Sequence, residues 1–285
     1  MNVNETYDVT TLERDAVRRE VTSHDLHGRT QIFTGESEIT DANVIEVLEK
    51  SLPVHNKNRA EELYLYDYHR GIQPILHRTK VYNQEINNKI VINLANQISN
   101  FKASEFAGEP IQYVSRSSDK TVPDKVSKLN SMMLTEMKQS RDLEMAKDMF
   151  ICGVGYRLTI HDQGRKEEDW LDEAPFEIYR TDPWNSFVVR YNDVTKRVVM
   201  GVTYVFKNPP GGEPEYTVYT PNVTFTICER DGKLAIVKRV QHNFGLIPLV
   251  EYPCNPERMG AFEVVIDLLD AYNLAASNRA DAIDQ

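Results

Sequence analysis

Near Gly153 the spacing of apolar residues changes period, and that change restricts the chain to few architectures. Before it, apolar side chains recur three and four apart, as one face of a helix requires. After it come "VGYRLTIH", "SFVVRY", "RVVMGVTYVFKN", "EYTVYTPN", "VTFTICER" and "KLAIVKRVQH", rich in β-branched and aromatic residues and separated by turn signals. Helices grouped apart from strands specify an α+β fold rather than the alternation of a parallel α/β sheet. The expected layout is N-terminal helices packed on an antiparallel β-sheet meander over roughly residues 154–252, then a terminal helix.

Within the helical part, Thr40-Asp41 caps a short helix through Val44, Ile45, Val47 and Leu48 that Pro53 ends. A second helix covers Asn56 to His69 and stops at Gly71. A third is predicted from Asn83 to Gly108 on the recurrence of Ile86, Ile90, Leu94, Ile98 and Phe101, with Pro110 forbidding continuation and a short strand following. Pro123 to Phe150 carries a methionine-rich stripe, with a break expected at Lys138-Gln139-Ser140. Residues 1–40 read as an extended N-terminal arm with a short charged helix over Leu12–Glu20, residues 41–258 as the main domain, and 260–285 as the last helix. No stop signal precedes Gln285, so the chain is expected to end inside that element.

The chemistry-bearing residues form no recognisable constellation. The Gly-x-Gly of "CGVGYR" leads from a helix into a strand, whereas a dinucleotide fingerprint needs a strand feeding a helix. These glycines instead suit a backbone that leaves the helix and enters the sheet closely packed. The histidines are scattered, and Cys152, Cys228 and Cys254 lack ligand spacing and read as ordinary thiols of a reducing compartment. The acidic loop "GRKEEDWLDEAP" lacks the spacing of a calcium loop, and "EIYR" lacks the lysine a nuclease strand would offer. No catalytic, cofactor-binding or metal residue is assigned, and no cofactor is expected. A net charge of -10 repels a phosphate backbone, which argues against a tight DNA reader but suits a protein that lies near DNA without adhering to it. No apolar run is long enough to span a bilayer, so no membrane partner is expected.

The last helix divides into two sides on a helical wheel. Val265, Leu268, Leu269 and Tyr272 share one, the candidate packing face; Asp267, Asp270, Ser277, Asp281 and Asp284 gather opposite. An acidic stripe is commonly a solvated face, and it also suits the wall of a passage for something negatively charged.

Taken in order, "NRAEELYLYDYHRGIQPIL", "NNKIVINLANQISNFKASEFAGEPIQYV", "AKDMFICGVGYRLTI", "RTDPWNSFVVRY" and the stretch from "HNFGLIPLVEYPCNPERMG" to "NRADAID" resemble the landmarks of tailed-phage portal proteins of the SPP1 Gp6-like family. Ile247-Pro248, Asn255 and the Asp270-to-Ser277 span stand where that family has its Ile-Pro strand, Asn turn and Asp/Ser helix, the last slightly stretched. The resemblance implies a structural, non-enzymatic protein forming a homo-oligomeric ring at one capsid vertex of the virion, assembled in the host cytoplasm. Double-stranded DNA would pass through it without sequence-specific binding. It implies terminase, capsid, scaffold and head-completion proteins as partners. Residues 41–258 would be the wing and 260–285 the start of a stem-like helix lining the channel, with Asp267, Asp270, Ser277, Asp281 and Asp284 facing it. The clip, second stem helix, tunnel loop and crown would lie beyond Gln285, making the chain a fragment or a short relative. The rival readings are a nucleic-acid-associated adaptor and an unrecognised hydrolase or nuclease.

Overall fold

One helix, α1 (Val44–His69), runs unbroken through Pro53, where the sequence predicts two helices. A proline inside a helix removes a hydrogen bond and crowds the carbonyl four residues back, at a cost of ~3 kcal/mol. Burial on both sides offsets it: Val44, Val47 and Leu48 enter one core, and Leu63, Leu65 and Tyr68 enter another. Each large apolar side chain so buried contributes ~2 kcal/mol. The computed structural model describes residues 21–116, 121–161, 174–207 and 212–285. The expected Leu12–Glu20 helix, the Gln163-Gly164 turn, most of the Pro209–Gly212 turn and nearly all of the acidic loop lie outside them.

The fold is α+β, with two sheets among the described residues. The larger has six strands in the order β1 (Ile32–Thr34), β4 (Ser186–Tyr191), β5 (Val198–Phe206), β6 (Pro214–Tyr219), β7 (Val223–Arg230) and β8 (Lys233–Gln241). From β4 to β8 it is the expected antiparallel meander. β1 joins β4 in parallel, with Ile32 opposite Val189. Residues 21–40, predicted as part of a loose arm, are therefore built into the fold, with Leu26, Arg29, Ile32 and Ile39 buried. The smaller sheet has β2 (Val154–His161) between β3 (Phe176–Thr181) and β9 (Leu249–Pro253). β4 is buried on both faces: Phe187 and Val189 meet α1, while Val188 joins Val154, Tyr156, Leu158 and Leu249 of the smaller sheet.

Among the described residues three more α-helices lie between α1 and β2: α2 (Leu94–Ala107), α3 (Val122–Thr135) and α4 (Lys138–Cys152). α2 begins eleven residues later than the sequence predicts, because Asn83 takes a positive φ of 50° and Asn93 is the residue whose side chain caps the helix. Residues 109–116 form no strand. The break between α3 and α4 falls at Met137, which has φ 48°, so Ser140 lies within α4 rather than capping it. At the α4–β2 junction Gly153 has φ 84°, and a Cβ there would lie 2.1 Å from the Arg258 carbonyl oxygen. The glycine supplies the left-handed turn and close approach that the sequence suggests. The terminal helix, α5, spans Ile266–Ile283 after a 3-10 turn at Glu263–Val265.

Candidate functional site

Two polar constructions stand out, one in the interior and one along α5. In the interior, the buried Arg29 guanidinium pairs with Glu61 at 2.9 Å and Glu263 at 2.8 Å and donates to the Cys152 carbonyl at 3.3 Å. Nearby, Glu251 accepts from Arg258 at 2.7 Å, Arg190 at 2.8 Å and the Tyr156 hydroxyl at 3.0 Å. Glu62 is buried beside these groups, and its Oε2 has no hydrogen-bond partner. Burial pushes its carboxyl up to about 8, against the pull of Arg29 and Arg258. On α4, Asp142 engages Lys138 and Arg157, and Asp148 takes two hydrogen bonds from Arg180. These charges bind the helices and the N-terminal segment to the sheets.

The second construction pairs α5 with residues 86–92, which form neither helix nor strand and hydrogen-bond along it. The Ile92 N–H donates to Asn273 Oδ1 at 2.8 Å, the Ile90 N–H to Ser277 Oγ at 2.9 Å, and the Asn88 N–H to Asp281 Oδ1 at 2.7 Å. The spacings match physically: four helical residues rise ~6 Å, and two extended residues advance ~6.6 Å. Each step of four on the helix therefore meets alternate amides on the strap. At its far end Asp281 Oδ2 lies 3.0 Å from both Arg78 Nη1 and Lys80 Nζ, and Asp284 accepts from the Asn88 side chain at 2.7 Å. The Asn88 amide first of all, then Lys80, hold the Asp281 carboxyl down at about 2.

The inward face of α5 draws on both of the sides read from the sequence and coincides with neither. Of the acidic side, Ser277 and Asp281 are buried against the strap, and Asp270 is half-buried and accepts from the Tyr68 hydroxyl at 2.8 Å. Asp267 and Asp284 are exposed. Of the expected packing side, Leu269 is buried and Val265 partly so, but Leu268 and Tyr272 are 67% and 51% exposed. The inward residues are Ile266, Leu269, Asn273, Ser277 and Asp281. The physical reason is the strap itself, whose amides and two basic side chains require acceptors. Arg78, Lys80, Asn88 and Asn273 were not singled out from sequence; the four-residue recurrence of Asn273, Ser277 and Asp281 is the signal that points to them.

A further surface lies at the other end of the helical layer. Ile111, Tyr113, Val126, Met133, Leu134 and Met137 line an apolar groove of about 880 Å³ between residues 110–115 and α3. No residue of α3 is buried within the chain. Among the described residues no group of His, Cys, Asp and Glu is placed to hold a metal ion, and no helix is long and apolar enough to cross a membrane.

Ion pairs join the helices to the sheets, α5 is strapped along one side, and apolar side chains of α3 and α5 are turned outward. A family model for phage portal proteins of the SPP1 Gp6-like type matches residues 48–285, from α1 to the end of α5. The chain belongs to that family, which is a structural one. No curated protein matches it.

Proposed function

We propose that this chain forms the wing and the first part of the stem of a portal ring, the channel through which double-stranded DNA enters and leaves a phage capsid at one vertex. The observation that carries the reading is the family match over residues 48–285. Residues 41–258 make the wing and 260–285 the stem segment. The outward Leu268–Tyr272 side of α5 supports contact with a neighbouring subunit, since exposed apolar stripes of this kind are interaction sites. Asp267 and Asp284, exposed on either flank, are the acidic residues best placed to look onto DNA without binding it; Asp270, Ser277 and Asp281 reach the channel only where α5 leaves its strap. Terminase, capsid, scaffold and head-completion proteins are the partners proposed on family grounds, and no catalytic role is assigned.

Negative-stain electron microscopy and sedimentation of the purified chain test the assembly. Closed rings with a central opening are expected, and a strictly monomeric protein at high concentration counts against the reading. Binding to double-stranded DNA should be weak and without a steep salt slope; tight, strongly salt-dependent binding would favour the adaptor reading instead.

A further inference from the structure

The inner face of α5 changes character along its length. At its base Ile266 and Leu269 sit in an apolar core with Phe262, Tyr68 and Trp184. From Asn273 outward every buried side chain on that face is polar: Asn273, Ser277, Asp281. Each makes a specific bond to the strap, and Asn273 also donates to Gln73 at 2.5 Å. Arg78 reinforces the end by donating to Asn278 and to the Asn88 carbonyl, and Lys80 donates to the Ile86 carbonyl. Apolar burial holds the base; hydrogen bonds and two ion pairs hold the rest.

These two kinds of attachment respond differently to water. Apolar surface has no substitute partner in solvent, whereas a polar rung exchanges a protein partner for a water molecule with small net loss. The outer apolar residues Leu268, Tyr272 and Ile283 do not resist the exchange, because they are already exposed.

We propose that the outer part of α5, from Asn273 to Ile283, is a latch. It opens from residues 86–92 as one unit about a pivot at Leu269–Asn273, while the base stays seated. The closed latch turns Asn273, Ser277 and Asp281 towards the strap; the open latch turns them to water. The device belongs to the single chain, and its test does not depend on ring formation.

Hydrogen exchange resolved to single amides decides the matter. In the parent protein the Asn88, Ile90 and Ile92 amides should exchange at one common opening rate, faster than Val202 and Tyr204 of the central strand β5. Asp281→Asn keeps an acceptor for the Asn88 N–H but removes the charge that Arg78 and Lys80 face. If the rungs open together, all three strap amides accelerate by about tenfold, as loss of a charge-assisted contact implies, and β5 is unchanged. Acceleration of Asn88 alone overturns the proposal, because the rungs would then break separately. So does no change in any of the three, or an equal change in β5, which would mean that the helix opens only with the whole molecule. Should the variant fail to fold, the parent supplies the same reading: raising salt towards 1 M screens the Arg78 and Lys80 pairs and should accelerate Ile90 and Ile92 along with Asn88. Insensitivity of Ile90 and Ile92 to salt overturns the latch equally.

Discussion

At the scale of the residue, Glu62 is the most consequential group that sequence could not expose. Its neighbours Arg29, Arg258 and Glu251 come from distant segments, and no local pattern announces that they converge. Its carboxyl rises from an ordinary 4.5 to about 8, chiefly because burial disfavours the charge. The folded protein thus keeps a proton that the unfolded chain releases, so this group's contribution falls as pH rises from about 4.5 to about 8 and is flat above. At pH 7 the cost is on the order of 3 kcal/mol. Glu62→Gln should therefore be more stable than the parent at pH 8, by on the order of 4 kcal/mol, and within about 1 kcal/mol of it near pH 5. Urea midpoints at the two pH values check this, and an unchanged pH slope would refute it. Gly153 is the opposite case, legible from its place between a helical and a strand pattern. Gly153→Ala must accept φ 84° with its Cβ 2.1 Å from a backbone oxygen, and should lose on the order of 3 kcal/mol in the same urea assay.

At the scale of the element, the meander from β4 to β8 was readable because its strands are rich in β-branched and aromatic residues and turn signals separate them. The errors were linked. Ile86 and Ile90 sit at helical spacing with Leu94 and Ile98, so residues 83–93 passed for a helix, whose amides would have satisfied themselves. As a strap outside helix and sheet they need acceptors, and α5 supplies them from the side that looked destined for solvent. One misassigned period thus hid one misassigned face. Pro53 misled for a similar reason, since a local penalty of ~3 kcal/mol is outweighed by two cores that no local rule sees. The strap also has an acid signature. Asp281 is held at about 2, below its unfolded 3.8, so its contribution is present above about 4 and is lost as pH falls towards 2. Its facing groups are Arg78, Lys80, Asn88 and Asp284, and protonation leaves the two cations without their shared partner. Pepsin cleavage within α5 should therefore rise between pH 4 and pH 2 before the β-sheet unfolds, and Asp281→Asn should be cleaved readily at pH 4 already. Cleavage that only tracks loss of the sheet would contradict this.

At the scale of the whole molecule, the order of weak landmarks carried the family, and the change of period at Gly153 carried the fold class. The direction α5 faces in an assembly was not legible, because a helical wheel gives two sides and no sense. The structure makes that question testable with two adjacent residues. Leu269 is 6% exposed and packs with Tyr68, Trp184 and Phe262, whereas Leu268, one position earlier, is 67% exposed. Leu269→Asp forfeits ~2 kcal/mol of burial and places an unpaired carboxylate in the core at several kcal/mol more, so the variant should be largely unfolded. Leu268→Asp alters a mostly exposed side chain and should keep stability within about 0.5 kcal/mol of the parent. If the Leu268–Tyr272 side meets a neighbouring subunit, that same folded variant should sediment as a monomer under conditions where the parent forms rings. A Leu268→Asp protein that unfolds like Leu269→Asp would show the helix turned the other way. One that folds and still assembles normally would move the subunit contact elsewhere, with the apolar groove of α3 the next surface to mutate.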